Sequence, residues 1–341
     1  MNRSRRSILL AMLLLGAWPA ASQVTAVVEG RCIGCYPYSF KLGAIHFTTE
    51  REGWATAYWW PVNGSGLSTF LHTTDGGRHW RRLPFVLQTD AESGPPYWFV
   101  DRDHGWVQWT RRSDGESYVG VTANAGRTWS HHPSKSFVAM QFFDRLHGYA
   151  AGAQFVQTSD GGRRWKSIAT PLGTTDVMSF SDPRDGILIG GDAMPWDGPL
   201  RIVVTQDGGA HWTPAKFPDR PYGRVAVFVR TGPKTAFTAI RGSNDAGDEL
   251  LWTHDGGLTW SRHPDETFQG VKKSINEVVI APNGRGYLFY DDKIATTADG
   301  GATWRHAPFQ YSVADCQLFE QEVWCSSGMK ILKLNLSAAK R

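Results

Sequence analysis

Short apolar stretches alternate with polar turns along this chain, in a pattern that recurs. Each copy has an apolar stretch that ends in an aromatic or aliphatic residue, then a polar turn, usually a glycine, and a second apolar stretch. The residues at which the polar turn of each copy is about to begin are Phe47, Phe99, Phe142, Phe180, Phe228 and Ile280. Apolar and polar residues alternate with a period of two on both sides of the turn, which is typical of a β-hairpin. The chain is therefore predicted to contain a series of antiparallel hairpins.

A second motif follows each hairpin. It is an eight-residue turn that opens with threonine and ends with tryptophan, as in TTDGGRHW at 73–80 and THDGGLTW at 253–260. The six copies end at Trp80, Trp129, Trp165, Trp212, Trp260 and Trp304. Successive tryptophans are 49, 36, 47, 48 and 44 residues apart, which is the repeat length of a four-stranded propeller blade. One repeat is thus a hairpin, a third strand, the boxed turn and an outer strand.

A seventh copy near the C-terminus is incomplete. Residues 316–336 contain a hairpin and a third strand, but no boxed turn and no outer strand. The apolar segment at 24–29 can supply the missing strand, and its pairing with the last strand closes the ring and removes exposed edges. We predict an all-β, seven-bladed propeller of four-stranded antiparallel blades, closed by the N-terminal strand. Six blades remain the alternative.

The boxed turns have a structural interpretation. Their side-chain acceptors are Asp75, Asn124, Asp160, Asp207, Asp255 and Asp299. A carboxylate here can accept N–H bonds across the turn, glycine permits positive φ, and the tryptophan anchors the turn against the blade. In the second copy Asn124 replaces aspartate and Ala125 replaces the first glycine, so we expect that turn to be the weakest. Since each aspartate belongs to its own blade, we do not expect them to form a catalytic array.

The first 22 residues have the order of a secretory signal peptide. Arg3, Arg5 and Arg6 precede an apolar run of eleven residues at 8–18, which small residues follow. We predict export by the general secretory or the twin-arginine route, with cleavage after Ser22. The mature chain, residues 23–341, is predicted to form a single propeller domain. The protein is then periplasmic or secreted. An apolar run of this length is too short to span a membrane, and no later stretch is long enough either, so no integral membrane segment is expected in the mature chain.

Composition and charge narrow the possible partners. With 41% hydrophobic residues and 16 tryptophans, the chain can form a sizeable hydrophobic core. Its 37 glycines indicate a fold with many turns. The formal charge is +4, but removal of three leader arginines leaves 33 basic and 32 acidic residues. This balance disfavours nucleic acid as a partner.

The combined pattern T-x-D-G-G-x-x-W and F-x-D-x-x-x-G-W/Y resembles the bacterial neuraminidase or Asp-box repeat. Within it, the chain is similar to the photosystem II stability and assembly factor family, from about Phe40 to Leu336. The resemblance implies a seven-bladed propeller and a non-enzymatic, exported scaffold that binds a protein partner during assembly. Sialidases, sortilin-like receptors and xyloglucan hydrolases also carry the box, so a sialidase-like or other glycan-binding or glycoside-hydrolysing propeller is the alternative.

Partner contacts are expected on the face formed by the loops between second and third strands. Several of these loops are long, and they carry tryptophan and arginine, which are enriched at interface hot spots. The candidates are Trp59, Trp60, Arg111, Arg112, Trp196 and Arg241. The alternative is that the tryptophans complete strands and the arginines are solvated.

The motifs of enzymes and metal sites are missing from the sequence. There is no Arg-Ile-Pro string of a sialidase, no nucleophile elbow, no phosphate-binding glycine loop and no histidine spacing suited to zinc. We therefore expect no enzyme activity, no metal site and no cofactor, and we expect a monomer.

Four cysteines in an exported chain favour disulfides over metal ligation. Cys316 and Cys325 flank a tight turn, which places them opposite each other across a hairpin and leaves Cys32 to pair with Cys35. Bridges from the N-terminal segment to the last blade are the alternative, and these would join the two ends of the ring.

Overall fold

The computed structural model describes residues 24–29, 31–33, 41–59, 67–87, 96–111, 114–191, 199–217, 223–241, 248–264, 274–319 and 321–336. Within these ranges every regular element is a β-strand, and the strands form seven sheets arranged as the blades of a propeller. The predicted fold class and the number of blades are confirmed. The predicted leader at 1–22 lies outside the described residues.

The strands follow one another blade by blade along the chain. The N-terminal strands are β1 (Val24–Glu29) and β2 (Arg31–Ile33). Blade 1 has β3 (Lys41–Phe47), β4 (Gly53–Trp59), β5 (Leu67–Thr73) and β6 (His79–Leu87). Blade 2 has β7 (Tyr97–Phe99), β8 (Gly105–Thr110), β9 (Ser117–Thr122) and β10 (Ser130–Ser134). Blade 3 has β11 (Phe137–Phe142), β12 (Gly148–Gly152), β13 (Phe155–Thr158) and β14 (Lys166–Ile168).

The remaining blades have the same order. Blade 4 has β15 (Thr174–Phe180), β16 (Gly186–Gly191), β17 (Arg201–Thr205) and β18 (Thr213–Pro214). Blade 5 has β19 (Arg224–Arg230), β20 (Ala236–Arg241), β21 (Asp248–Thr253) and β22 (Ser261–Arg262). Blade 6 has β23 (Ile275–Ile280), β24 (Gly286–Tyr290), β25 (Lys293–Thr297) and β26 (Arg305–Pro308). Blade 7 has β27 (Asp315–Phe319), β28 (Glu322–Ser327) and β29 (Lys330–Asn335).

The ring is closed by the N-terminal strand. β1 pairs antiparallel with β29, from Val24 opposite Leu334 to Glu29 opposite Lys330, and thereby becomes the outer strand of blade 7. The chain then adds β2 to blade 1 as a fifth strand, parallel to β6, with Cys32 opposite Trp80. The sequence pattern predicted β1 but not β2. The N-terminal segment therefore contributes to both blades at the point of closure.

The hairpin motif forms the contacts between blades. The aromatic residue at the start of a second strand packs against the phenylalanine that ends the first strand of the next blade. Trp54 stacks on Phe99 with ring centroids 3.9 Å apart, and Trp106 stacks on Phe142 at 3.6 Å. Aromatic pairs of this kind contribute about 0.5–1.5 kcal/mol beyond their burial. Trp324 of blade 7 contacts Phe47 of blade 1 edge to face at 4.8 Å, so an aromatic contact also spans the closure.

The glycine of the motif makes room for the phenylalanine of its own blade. A Cβ at Gly105 would lie 2.3 Å from the ring of Phe99, and a Cβ at Gly186 would lie 2.2 Å from the ring of Phe180. Both distances are too short for real atoms, so only glycine fits. The motif thus serves two blades, because the glycine accommodates one ring and the next residue packs against another.

Side chains also join the first strands of neighbouring blades around the axis. Gln317 in β27 accepts a hydrogen bond from the Phe47 amide at 2.6 Å and donates one to the Phe47 carbonyl at 2.7 Å. Gln141 in β11 bonds both main-chain groups of Phe180 in the same way. These side chains satisfy main-chain polar groups of the adjacent blade, and so fix the register between blades.

Candidate partner-binding face

The turns and loops of the ring lie on two different faces. The amide of Gly76 in a boxed turn donates to the Arg51 carbonyl in the hairpin turn of the same blade at 3.0 Å. Equivalent bonds join Gly161 to Leu146 at 2.9 Å and Gly208 to Arg184 at 3.0 Å. Hairpin turns and boxed turns therefore share one face, the boxed face. Because strands of a blade are antiparallel, the loops between second and third strands lie on the opposite face, the loop face.

The carboxylate of each boxed turn is used within that turn. In blade 5, Asp255 Oδ1 accepts bonds from the Thr253 hydroxyl and the Thr259 amide, both at 2.9 Å. The Thr253 hydroxyl in turn accepts the Gly257 amide at 3.1 Å. The same two bonds to an aspartate recur at Asp75, Asp160, Asp207 and Asp299. The aspartates lie in five different blades, and their geometry is that of turn formation.

These bonds also keep the carboxylates ionised. The His211 main-chain amide and side chain, together with the Thr205 hydroxyl, lower the pKa of Asp207 to about 2. At Asp255 burial raises the pKa, but bonds from Thr259 and Thr253 outweigh this effect and the net pKa is lowered. The charge strengthens hydrogen bonds that hold the turn.

The second boxed turn keeps the same bonds with different residues. Asn124 Oδ1 accepts bonds from the Thr122 hydroxyl at 3.1 Å and the Thr128 amide at 2.9 Å. Ala125 occupies the position of the first glycine with φ 60°, which is a strained conformation for a residue with a Cβ. This turn therefore lacks the charge of the others and carries backbone strain.

The six boxed tryptophans differ in burial. Trp80, Trp260 and Trp304 are buried, whereas the other three are partly exposed, at 129, 165 and 212. In the fifth turn the Trp260 indole N–H donates to the Gly257 carbonyl at 2.9 Å, so the ring closes its own turn. The tryptophans thus pack beside the turns that contain them.

Several residues that the sequence proposed for partner binding lie outside the described part. Trp60, Arg112 and Trp196 are outside the described residues. Trp59 is the last residue of β4, and its side chain is likewise outside the description. Arg111 and Arg241 are the two whose side chains the structure places.

Arg111 lies at the loop face of blade 2, beside a row of aromatic rings. Its guanidinium lies 4.5 Å from the centroid of the Tyr118 ring, and it donates to Asp114 at 3.0 Å. Tyr118 stacks on Trp109 at 5.5 Å, and Trp109 contacts His131 edge to face at 4.8 Å. Sequence reasoning selected Arg111 but missed Trp109 and Tyr118, although both flank the same loop. The stack offers flat aromatic surface and a half-exposed guanidinium, which are features of interface hot spots.

Arg241 has a different environment. Its Nε and one terminal nitrogen donate to the two oxygens of Asp248, each at 2.8 Å. Asp248 is buried and also accepts the Ile275 amide of blade 6 at 2.8 Å. The hydrogen bonds from Arg241 to Asp248 stabilise the charged form of Arg241 and raise its pKa. The geometry therefore gives Arg241 a place in the contact between blades 5 and 6.

Two carboxyl groups lie close together at the first strands of blades 6 and 7. Asp315 Oδ2 accepts the Ile45 amide of blade 1 at 2.7 Å, and Glu277 Oε1 accepts the Val278 amide at 3.0 Å. Burial, and then the charge of Asp315, raises the pKa of Glu277 to about 8, while burial raises that of Asp315 to about 6. Among the residues described, no group of three His, Cys, Asp or Glu side chains is arranged to hold a metal ion.

Two further observations concern the disulfides and membrane spans. Cys316 and Cys325 are directly opposite each other in β27 and β28 and are joined by a disulfide. Cys35, the proposed partner of Cys32, lies outside the described residues. Within the described ranges, no helix has the length and apolar character needed to cross a bilayer.

This architecture defines the class of the protein as a seven-bladed β-propeller. No known family model and no curated protein matches its sequence. The structure of YCF48 bound to D1 peptide is similar, with a TM-score of 0.65 and 14% identity over 91% of this chain and 94% of that chain. YCF48 from Cyanidioschyzon merolae has a TM-score of 0.63 and 16% identity over 92% and 99% of the two chains.

Part of a glycoside hydrolase has a similar fold. The GH74 xyloglucanase from Xanthomonas campestris has a TM-score of 0.54 and 13% identity, over 92% of this chain but only 53% of the enzyme. At these identities each likeness shows the fold alone.

Proposed function

We propose that this protein is an exported, non-enzymatic propeller that binds a protein partner through its loop face, in the manner of an assembly factor. The observation that carries the proposal is the stack of Arg111, Tyr118 and Trp109 at that face. The aromatic rings are rigid, so little conformational entropy is lost when a partner covers them. The likeness to YCF48, which was solved with a bound D1 peptide, supports a peptide or protein as the ligand.

The boxed aspartates support a scaffold over an enzyme. A glycosidase needs two carboxyl groups about 5–10 Å apart beside one bond, or the tyrosine-based set of a sialidase. Here the Asp75, Asp160, Asp207, Asp255 and Asp299 carboxylates are each bonded inside their own turn. The hydrogen bonds of these carboxylates therefore stabilise the boxed turns.

The experiment is a comparison of tagged mature protein with two triple variants in the native host. One variant replaces Arg111, Arg112 and Trp196 by alanine, the residues of the second-to-third-strand loops that the sequence proposes as partner contacts. The other, R127A, R163A and R164A, removes three side chains from the boxed face. We expect the loop-face variant to lose the chemically cross-linked partner and the boxed-face variant to keep it. Circular dichroism and thermal unfolding serve to show that both variants fold.

The outcomes separate the two functional classes. Partner capture that is unchanged in the loop-face variant would refute the proposed face. The glycan alternative predicts instead that the protein binds or hydrolyses members of a panel of sialosides and polysaccharides. Turnover on that panel would refute the non-enzymatic scaffold.

A further inference from the structure

The fourth strand of each blade presents one edge at the rim of the ring. A strand edge carries main-chain N–H and C=O groups that can pair with a strand of another chain. Native proteins commonly protect such edges by keeping the strand short or by placing proline or charge on it. The fourth strands of the seven blades are β6, β10, β14, β18, β22, β26 and β1, and they differ in this protection.

The fourth strands of blades 1 to 6 are short or contain proline. β10, β18 and β26 contain Pro133, Pro214 and Pro308, and proline has no main-chain N–H to donate. β14 and β22 have three and two residues. β6 contains Pro84, and its first three residues are paired with β2, which is itself three residues long. These six blades therefore offer little uninterrupted edge.

β1 of blade 7 is the exception. It has six residues, VTAVVE, without proline, and its one charged residue is Glu29 at the end. Three valines and a threonine are β-branched residues, which favour the extended conformation. Among the strands that the structure describes, β1 pairs with β29 and no strand pairs with its other edge. β1 is therefore the long, unprotected edge among the described blades.

The side chains of β1 give this edge two features. Val27 is 38% exposed and lies opposite Leu332, which belongs to the apolar cluster between blades 6 and 7. Glu29 has a side chain that is 77% exposed, with one oxygen 3.3 Å from the Lys330 ammonium. A strand added beside β1 would extend the same sheet, so its alternate side chains would lie next to Val27 and Glu29. The edge thus combines an apolar contact with a negative charge.

We propose that β1 binds an extended segment of a partner protein, which adds to blade 7 as an antiparallel fifth strand. Main-chain hydrogen bonds to β1 supply affinity, and the side chains select a segment with an apolar residue opposite Val27 and a basic residue opposite Glu29. Blade 1 already has a fifth strand, because β2 pairs with β6, so a blade of this ring accommodates an additional outer strand. The site lies at the rim, apart from the loop face, and does not depend on the function proposed above.

The geometry favours a peptide segment over a second copy of this chain. A six-residue strand is about 20 Å long, so two rigid rings joined only along β1 would bury far less than the roughly 1,200–2,000 Å² of a stable interface. A twofold pair of β1 strands centred on Val27 would also place each Glu29 opposite a Thr25, where no basic residue meets it. A flexible segment is not restricted in this way, because it can follow the edge and continue along the rim.

The first test uses a peptide of matching chemistry. The mature chain is titrated by NMR with acetyl-Lys-Thr-Val-Thr-Val-Thr-amide, which places lysine opposite Glu29 and the first valine opposite Val27 when it pairs antiparallel with β1. We expect a Kd on the order of 0.1–1 mM. The same peptide with proline in place of the first valine should bind about ten-fold or more weakly, because a strand accommodates proline poorly. Absence of binding by the valine peptide at about 5 mM, or equal binding of both peptides, would overturn the proposal.

Two substitutions separate the edge from a general effect of surface charge. V27K places a charge in the middle of β1, and V138K makes the same change at another exposed valine, in β11. V27K should weaken binding of the valine peptide about five-fold, because it removes the apolar contact and repels the lysine of the peptide. V138K should bind like wild type, and equal weakening in both variants would overturn the site.

Charge reversal tests the register without a change at Val27. E29K should prefer the peptide that has glutamate in place of lysine, and wild type should prefer the lysine peptide, by about three-fold or more in each case. The same preference in both proteins would overturn the pairing with Glu29. Circular dichroism and thermal unfolding serve to show that the variants fold.

Hydrogen exchange measures strand addition itself. Exchange at the β1 amides that point away from β29 should slow about ten-fold when the lysine peptide is present at ten times its Kd. Binding without this protection would overturn the main-chain pairing. Analytical ultracentrifugation without peptide tests the other occupant, because a wild-type dimer that V27K abolishes would assign the edge to a second copy and overturn the peptide segment.

Discussion

The role of an arginine in this propeller depends on the carboxylate that the fold places opposite it. Arg111 and Arg241 were both selected from the sequence as contacts for a partner. Arg111 is half exposed beside Tyr118, whereas Arg241 forms a two-bond ion pair with the buried Asp248. Asp248 also accepts the Ile275 amide of the next blade. Arg111 therefore keeps a half-exposed guanidinium, whereas Arg241, through Asp248, takes part in the contact between two blades.

The ion pair of Arg241 gives a prediction for stability. R241A leaves the Asp248 carboxylate buried with only its main-chain donor. Loss of one partner of a buried pair costs about 3–5 kcal/mol, but Arg241 is 34% exposed and solvent screens the pair, so we expect the free energy of unfolding to fall by about 2–3 kcal/mol. R111A removes an exposed ion pair, which contributes at most about 1 kcal/mol. Urea unfolding followed by tryptophan fluorescence measures both. Equal losses in the two variants would contradict the different roles assigned to them.

The sequence could identify these arginines as candidates but could not distinguish them. Residue type and position along the chain are local properties, and the two arginines have similar positions: Arg111 directly follows β8, and Arg241 is the last residue of β20. Their environments depend on the positions of Asp248 and of Tyr118 after the blade has folded. The same limit explains why Trp109 and Tyr118 were missed, because stacking across two strands depends on register.

At the scale of elements, the hairpin motif and the boxed turn could be predicted because their determinants are local. A glycine that a neighbouring ring requires, such as Gly105 beside Phe99, has a fixed place in the motif. The strand β2 (Arg31–Ile33) could not be predicted in the same way. It has three residues and pairs in parallel with β6, and only the closed ring brings these two segments together. Local signals thus specified the blades but not this extra strand.

The second boxed turn gives a prediction at the same scale. Ala125 has φ 60°, where a Cβ costs about 1–2 kcal/mol, although glycine loses more backbone entropy on folding. A125G should therefore raise the free energy of unfolding by about 0.5 kcal/mol or more. The control is A302G in the sixth turn, since Ala302 is not among the described residues with positive φ. Chemical denaturation should show a gain for A125G and a small loss for A302G; a loss in both would refute the assignment of strain.

At the scale of the whole molecule, stability depends on contacts that pass from blade to blade around the ring. Trp324 on Phe47 and Gln317 on the main chain of Phe47 continue the pattern across the closure. Near the same axis, Asp315 of blade 7 bonds the Ile45 amide of blade 1. The number of blades followed from counting repeats in the sequence. The carboxyl pair near the closure did not, because Glu277 and Asp315 come together only when neighbouring blades pack.

The carboxyl pair gives a prediction about pH. Burial and the charge of Asp315 raise the pKa of Glu277 to about 8, so the unfolded chain releases this proton at lower pH than the folded chain. The contribution of Glu277 to stability is therefore full below its unfolded pKa and is lost as pH rises towards about 8. Other groups also titrate, since burial lowers the pKa of His46, and the difference between variant and wild type isolates Glu277.

E277Q keeps an oxygen that can accept the Val278 amide but cannot ionise. Relative to wild type, its free energy of unfolding should increase from pH 5 to pH 8, by about 1.4 kcal/mol for each unit by which folding raises the pKa of Glu277. Urea unfolding at intervals across this range measures the difference. D160N is the control, because the hydrogen bonds of its boxed turn lower the pKa of Asp160 despite burial. Its difference from wild type should be constant between pH 5 and pH 8, and an equally constant difference for E277Q would show that Glu277 ionises at its ordinary pKa.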